Sequence, residues 1–194
     1  MLTKERNGRE DPRVRRTRAL IVRAFEELVA ERGHTGLTVR EIAERATINR
    51  ATFYAHFRDQ YELFDHFISE SFRRELRRRL PEASTLNEEA LRSLVLATCD
   101  YLAGLNTACR RTDRQFRPII EARVQGELYD LLLEWIGGRR EKANGRRVRP
   151  EIAASVESWA IFGAALDWSR GGGDRPSGEL ADQVLSVVSE GLRV

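Results

Sequence analysis

Hydrogen-bond donors are concentrated between Thr38 and Gln60, where the sequence predicts two short helices. The run from Thr38 to Glu41 has the Thr-x-x-Glu form of a capping box, in which a hydroxyl and a carboxylate each bond to the other residue's backbone amide. Asn49 is placed to cap a second helix over residues 50–57. Two short helices joined by a tight turn form the helix-turn-helix pattern, whose second helix can enter the DNA major groove. The pattern alone is weak evidence, because three-helix units also occur in proteins that do not bind DNA.

Longer helices are expected on either side of this pair. Apolar residues recur at helical spacing over residues 13–32, and Gly33 is placed to end that helix. Asp59 is placed to cap a fourth helix over residues 60–80. Phe53 and Phe57 are expected to face inward and to pack on the first helix.

The remainder of the chain also predicts helices and no convincing strand. Five further helices are expected at about residues 88–109, 114–124, 125–135, 150–168 and 176–192. The predicted fold is therefore all-α, with about nine helices. The predicted domains are a flexible tail over 1–12, a helix-turn-helix domain over 13–63 with its motif at 38–57, and a helical domain over 64–194.

Charge is distributed unevenly along the 194 residues, although the formal net charge is only +3. Residues 1–60 hold 13 Lys and Arg against 9 Asp and Glu, whereas the rest of the chain is nearly balanced. A basic N-terminal third is a modest indication of a polyanionic partner. No run reaches the ~18 apolar residues of a membrane span, and residues 1–12 lack the apolar core of a signal peptide. We therefore expect a cytoplasmic protein with no membrane partner.

The stretch from Thr17 to Leu63 resembles the N-terminal domain of the TetR family of transcription regulators. The resemblance rests on Gly33, on residues 37–43, on Ala46 and above all on residues 49–59, which read Asn-Arg-Ala-Thr-Phe-Tyr-Ala-His-Phe-Arg-Asp. This strong match covers about a quarter of the chain. Residues 159–168, followed by a glycine-rich loop and a last helix, resemble the family more weakly.

The resemblance implies a homodimer that binds a palindromic operator in double-stranded DNA and responds to a small-molecule ligand. Thr38, Tyr54 and His56 would contact the phosphate backbone, whereas Arg50 would address guanine in the major groove. The full set of expected DNA contacts is Thr38, Arg40, Asn49, Arg50, Thr52, Tyr54, His56 and Gln60. Packing or simple solvation remains the alternative for several of these side chains.

Two positions depart from the family pattern. Thr47 stands where glycine is common, and glycine makes such a turn more easily. Gln60 stands where lysine is common, so one phosphate contact per half-site is missing. These departures are the only hints of an alternative function, a TetR-like interaction module that has lost DNA binding.

The second domain is expected to hold the dimer interface and the ligand pocket. Two helices, 150–168 and 176–192, resemble those of the family's four-helix interface. The interface candidates are Val156, Trp159, Gly163, Ala164, Val184, Leu185, Val188 and Leu192. The pocket candidates are Thr98, Cys99, Tyr101, Phe116, Tyr129, Trp135 and Trp159. Ordinary core packing is the alternative for each.

Catalytic and cofactor sites are not indicated. No glycine-rich nucleotide-binding loop precedes a helix, and the three histidines share no metal-ligand spacing. Asp59, Glu62 and His66 would share a helical face, which a solvated surface explains better than a cation site. Cys99 and Cys109 would lie roughly 15 Å apart on one helix, too far to form a disulfide. We therefore expect no enzyme, no cofactor and no metal.

Overall fold

The computed structural model describes residues 11–33, 36–80, 86–108, 116–138, 148–173 and 175–191. Every regular element within these ranges is a helix. The eight helices are α1 (Pro12–Arg32), α2 (Val39–Arg45), α3 (Arg50–Tyr54), α4 (Gln60–Arg79), α5 (Glu88–Ala108), α6 (Arg117–Gly138), α7 (Pro150–Arg170) and α8 (Ser177–Gly191). The predicted all-α class is confirmed. No described helix combines the length and the apolarity that crossing a membrane requires.

The first compact unit ends at Phe67 and is built from α1 to α3 with the start of α4. The Asp11 carboxylate caps α1 by accepting a first-turn amide, and Gly33 ends it with φ of 78°. Phe25 meets Phe64 and Phe67 edge to face, an arrangement that aromatic pairs prefer. The other large buried side chains of this unit are Ile21, Leu28, Leu37, Ile42, Phe53, Phe57 and Leu63.

The second compact unit begins at Ile68. Its core is formed mainly where α7 packs against α5 and α6, and where α8 packs against α5. The largest fully buried side chains there are Ile68, Phe72, Leu94, Leu128, Leu132 and Ile161. On helix α8 the residues Ala181, Val184 and Leu185 are buried, so the helix closes this unit from one face.

A buried carboxylate ties α4 to α6 inside the second unit. Glu127 on α6 is only 6% exposed, and it accepts hydrogen bonds from Ser69 Oγ at 2.6 Å and from Arg73 Nε at 2.5 Å. Nearby, the hydroxyl of Tyr101 on α5 lies 2.6 Å from Ser71 Oγ. A buried charge is tolerated when it is paired and hydrogen-bonded. The part of α4 that lies in the second unit is therefore held by polar contacts as well as by apolar packing.

Two helix predictions are wrong. Residues 114–124 and 125–135 were expected to form separate helices, but α6 runs without a break from Arg117 to Gly138. A glycine inside a helix costs only about 1 kcal/mol relative to alanine, and burial of Val124 and Leu128 on either side of Gly126 outweighs that cost. Helix α3 ends at Tyr54, three residues earlier than predicted.

Candidate nucleic-acid interface

A tight turn separates α2 from α3, and it has the geometry of a Schellman motif. The amide of Ile48 donates to the carbonyl of Ala43 at 3.0 Å, and the amide of Thr47 donates to the carbonyl of Glu44 at 3.2 Å. The motif requires a left-handed residue just after the helix end, which is usually glycine. Thr47 takes that position with φ of 56°. The turn therefore forms without glycine, at the cost of a strained, β-branched residue.

The start of α3 is fixed by Asn49. Its Oδ1 accepts the backbone amide of Thr52 at 2.7 Å and the Thr52 hydroxyl at 2.9 Å. The predicted N-cap is confirmed. The Thr52 hydroxyl is thus engaged and the residue is half-buried, whereas the side-chain NH2 of Asn49 is exposed and can donate to DNA.

The predicted capping box at the start of α2 is confirmed. Glu41 accepts the amide and the hydroxyl of Thr38, at 2.9 and 2.8 Å, and Arg32 from the end of α1 reaches the same carboxylate at 2.6 Å. The hydrogen bond from Arg32, followed by those from Thr38, lowers the pKa of Glu41 to about 2. In the free chain the Thr38 hydroxyl is therefore committed to Glu41, and a phosphate would have to displace it.

The remaining predicted DNA contacts lie on α2, on α3 and between the end of α3 and the first residue of α4. Tyr54 is 52% exposed. The guanidinium of Arg50 is exposed and has no ion-pair partner among the described residues. His56 and Gln60 are half-buried. Arg40 is exposed but is paired with Glu44, with 2.8 Å between Nε and Oε1.

Aromatic packing beneath α3 holds this surface in place. Phe53 and Phe57 are fully buried, as predicted, and the ring of Phe53 packs edge to face on Tyr54. The guanidinium of Arg18 on α1 lies 4.5 Å from the centre of the Phe57 ring, a cation–π contact. Nothing in the spacing of the sequence reveals this contact, because its two residues are 39 positions apart.

A second set of ion pairs fastens the end of α2 to α1. Arg45 places its two terminal nitrogens 2.8 Å from the two oxygens of Glu31, and Nη1 also lies 3.6 Å from Glu27. The hydrogen bond from Arg45 lowers the pKa of Glu31. Together with the Arg32–Glu41 pair, these contacts connect both ends of α2 to α1. Helix α2 is thus held by charge as well as by its two buried residues, Ile42 and Ala43.

Residues 21–67, which contain α2, the turn and α3, match the family described as bacterial regulatory proteins of the tetR family. Residues 21–67 therefore form a TetR-type N-terminal domain. An uncharacterized HTH-type transcriptional regulator of Bacillus subtilis (strain 168), YxbF, is 34% identical over 104 residues. That match covers 53% of this chain and only 27% of the relative's length.

Solved TetR-like structures extend the likeness beyond the first unit. FadR of Thermus thermophilus, a TetR family transcriptional repressor in complex with lauroyl-CoA, is 26% identical with a TM-score of 0.62, over 91% of this chain and 95% of that one. FadR of Bacillus subtilis, in complex with stearoyl-CoA, shares the fold at 20% identity and a TM-score of 0.52, over 88% and 96% of the two chains. These relatives are regulators rather than enzymes, as the sequence predicts for this chain.

The residues predicted to line a ligand pocket differ in burial. Thr98 and Cys99 are fully buried, and the Thr98 hydroxyl donates to the carbonyl of Leu94 at 2.8 Å. Burial raises the pKa of Cys99 to about 12, so its thiol stays neutral. Phe116 and Trp135 are buried, Tyr101 and Tyr129 are half-buried, and Trp159 is exposed. Cys109 lies outside the described residues.

The predicted interface residues divide into two groups. Val156 and Trp159 are exposed by 64% and 58%, whereas Val184 and Leu185 are buried within the chain. Gly163, Ala164 and Val188 are half-buried, and Leu192 lies outside the described residues. Val184 and Leu185 therefore contribute mainly to packing within the chain. On α8 the exposed apolar residue is instead Val187, at 71%.

The carboxylates of Asp59 and Glu62 could bind a cation by residue type, but in the structure both accept backbone amides near the start of α4. Asp59 accepts the amide of Glu62 at 2.8 Å, and Glu62 accepts the amide of Arg58 at 2.7 Å. That backbone hydrogen bond lowers the pKa of Glu62. No group of three metal-binding side chains occurs within the part of the chain that the structure describes.

Proposed function

We propose that this chain is a ligand-responsive transcriptional repressor that binds a palindromic operator as a homodimer. The observation that carries the proposal is the exposed surface formed by Asn49, Arg50 and Tyr54 beside a fixed turn. An arginine with no protein partner can make a bidentate contact to guanine O6 and N7. An exposed tyrosine hydroxyl can donate to a phosphate oxygen, which positions the domain without reading sequence.

The turn geometry speaks against the alternative of an interaction module without DNA binding. Thr47 adopts the left-handed conformation that the turn requires, so this departure from the family pattern leaves the geometry intact. Gln60 removes one expected phosphate contact, which weakens affinity without abolishing it. Thr38 acts mainly through its capping box, since its hydroxyl is engaged by Glu41.

The test begins with sequencing of the genomic DNA fragments that the full chain retains. Binding of the recovered duplex is then measured by fluorescence anisotropy over a range of salt concentrations. Arg50→Ala should cost about 1–3 kcal/mol and relax the preference at one base pair, whereas Tyr54→Phe should weaken all duplexes alike and leave sequence preference intact. Arg23→Ala is the matched control, because Arg23 is exposed on α1 and pairs only with Glu27. Absence of salt-dependent binding to any duplex contradicts the repressor and favours the module.

A homodimer is proposed because one helix-turn-helix reads only a few base pairs, and twofold symmetry doubles the site. Ile152, Val156 and Trp159 form an exposed apolar stripe on one face of α7, with Gly163 one turn further along. An exposed apolar stripe of this kind is typical of a protein–protein contact. A second copy of α7 is the proposed occupant.

Ligand response is proposed from the relatives, two of which bind acyl-CoA. A ligand that favours one dimer arrangement changes the spacing between the two copies of α3, and the operator is then released. Titration of the ligand into the protein–operator complex tests this step. Unchanged anisotropy at a saturating ligand concentration would rule it out.

A further inference from the structure

The first two turns of α1 carry four arginines and no acidic residue. Arg13, Arg15 and Arg16 are exposed, and Arg18 is half-buried. Along α1, the first arginine with an ion-pair partner among the described residues is Arg23. The start of the helix therefore presents a group of positive charges that its neighbouring turns do not neutralise.

Residues 1–10 add to this charge rather than cancelling it. They hold three Lys and Arg against two Glu. Asp11 contributes one further carboxylate, which accepts the amide of Arg13 at 2.8 Å and caps the helix. Residues 1–18 thus hold seven basic side chains against three acidic ones. A surplus of this kind favours a polyanionic partner.

Arg18 places this group of charges beside α3. Its guanidinium lies 4.5 Å from the centre of the ring of Phe57, three residues beyond the end of α3. A cation–π contact restricts where the guanidinium can lie, but it leaves the five N–H donors available. Arg18 is therefore a positioned donor next to the chain segment that carries His56.

The start of α4 lies within electrostatic range of the same guanidinium. The pKa of Glu62 is lowered first by the backbone hydrogen bond from Arg58 and, with a smaller effect, by the charge of Arg18. Glu62 is already engaged, because its Oε2 accepts both the amide and the Nε of Arg58, at 2.7 and 3.3 Å. Gln60 lies between Phe57 and Glu62 in the sequence and is neutral. Arg18 therefore supplies a positive charge where the first turn of α4 has none of its own.

We propose that Arg18 binds a phosphate of the DNA backbone, next to the phosphates contacted by Tyr54 and His56. Arg15, one turn earlier on the same side of α1, adds a second phosphate contact. The inference rests on the proposed function, because it assigns a further contact to the same DNA-binding surface. The contact of Arg18 takes the place of the one that Gln60 does not make. Phosphate contacts carry no sequence information, so these arginines set affinity and not base preference.

The test measures operator binding of the full chain by fluorescence anisotropy over a range of salt concentrations. Arg18→Met removes the charge and keeps a flexible apolar side chain over the Phe57 ring. Each phosphate contact contributes about 0.9 to the slope of log association constant against log salt concentration, so a dimer should lose about 1.8. Arg18→Lys should keep the wild-type slope, because it keeps the charge. Arg23→Ala is the matched control on α1 and should also keep it.

Two further measurements distinguish a phosphate contact from a structural role of Arg18. Gln60→Lys in the Arg18→Met background should restore the slope, because it returns a cation to the start of α4. Operator duplexes with a single neutral methylphosphonate, scanned along both strands, should reveal a position that weakens the wild type but not Arg18→Met. A loss of packing alone would lower the stability of the chain and leave both the slope and this position unchanged.

A wild-type slope in Arg18→Met, or the same methylphosphonate scan for both proteins, overturns the contact and leaves the repressor standing. A changed base preference in Arg18→Met also contradicts it, since a phosphate contact reads no base. Arg15→Ala should lower the slope in the same direction, and a wild-type slope there removes Arg15 from the contact. If the wild type binds no duplex in a salt-dependent way, the proposed function fails and this contact fails with it.

Discussion

The amide of Ile48 donates to the carbonyl of Ala43 at 3.0 Å, and this bond closes the turn between α2 and α3 across Thr47. Thr47 has a φ of 56°. In this left-handed conformation its Cβ lies too close to the following carbonyl oxygen, which costs about 1–2 kcal/mol. Thr47→Gly removes that strain but costs about 0.5–1 kcal/mol of stability, because glycine raises the conformational entropy of the unfolded chain. We expect a net stabilisation of up to about 1 kcal/mol in urea denaturation. Thr47→Ala keeps the Cβ and serves as the control; an equal gain in both variants would refute backbone strain as the cause.

Acid should weaken the contact between α1 and α2 through Glu41. Its pKa is depressed to about 2, first by Arg32 and then by Thr38, so its contribution to stability is present above the ordinary value of 4.5 and is lost as pH falls from 4.5 toward 2. The free energy of unfolding of the wild type should therefore decline across this window. Glu41→Gln should decline less steeply. If the free energies of unfolding of the two proteins decline equally as the pH falls, the carboxylate of Glu41 does not cause the loss of stability.

The thiol of Cys99 should be unreactive in the folded chain. Burial, with a smaller effect from the Asp100 charge, raises its pKa from 9 to about 12, and the thiolate is the reactive form. In a Cys109→Ser background, iodoacetamide should not label the folded protein at pH 8 and should label it fully in denaturant. The raised pKa also means that the contribution of this group to stability is complete below pH 9 and is lost as pH rises toward 12. Rapid labelling of the folded chain would contradict the burial.

Disruption of the exposed stripe on α7 should produce monomers. Trp159→Glu and Val156→Glu each place a charge in the proposed interface, and the dimer should lose about 2 kcal/mol or more of association free energy. Analytical ultracentrifugation measures the change. Leu20→Glu, at an exposed apolar residue of α1, is the control and should leave the dimer unaffected. If the Trp159 variant sediments like the wild type, the interface lies elsewhere.

Local signals in the sequence predict the first unit well. The capping box at Thr38, the Asn49 cap and the inward side chains Phe53 and Phe57 each depend on residues within a few positions of one another. The left-handed conformation of Thr47 could also be anticipated, because glycine, which adopts that conformation easily, is common at this position in the family that the sequence resembles. The end of α3 was predicted less well. Backbone hydrogen bonds continue past Tyr54, since the amides of His56 and Phe57 both donate to the carbonyl of Phe53, but the regular helix ends at Tyr54.

Long-range contacts could not be predicted in the same way. The ion pair between Arg170 on α7 and Glu121 on α6, for example, joins residues that are 49 positions apart. On α8, helical periodicity predicts an apolar face but does not say whether that face meets its own chain or another copy. The sequence therefore predicts Val184 and Leu185 in the dimer interface, although both side chains are buried within the chain.

The buried carboxylate of Glu127 constrains any redesign of the sensor. Ser69 and Arg73 satisfy it from α4, and loss of one partner from a buried pair typically costs about 3–5 kcal/mol. Replacement of all three residues by well-packed apolar ones avoids that penalty. An engineer who redesigns the second unit should therefore keep these three positions as a unit or exchange them together, and a library that varies them singly will be depleted of folded members.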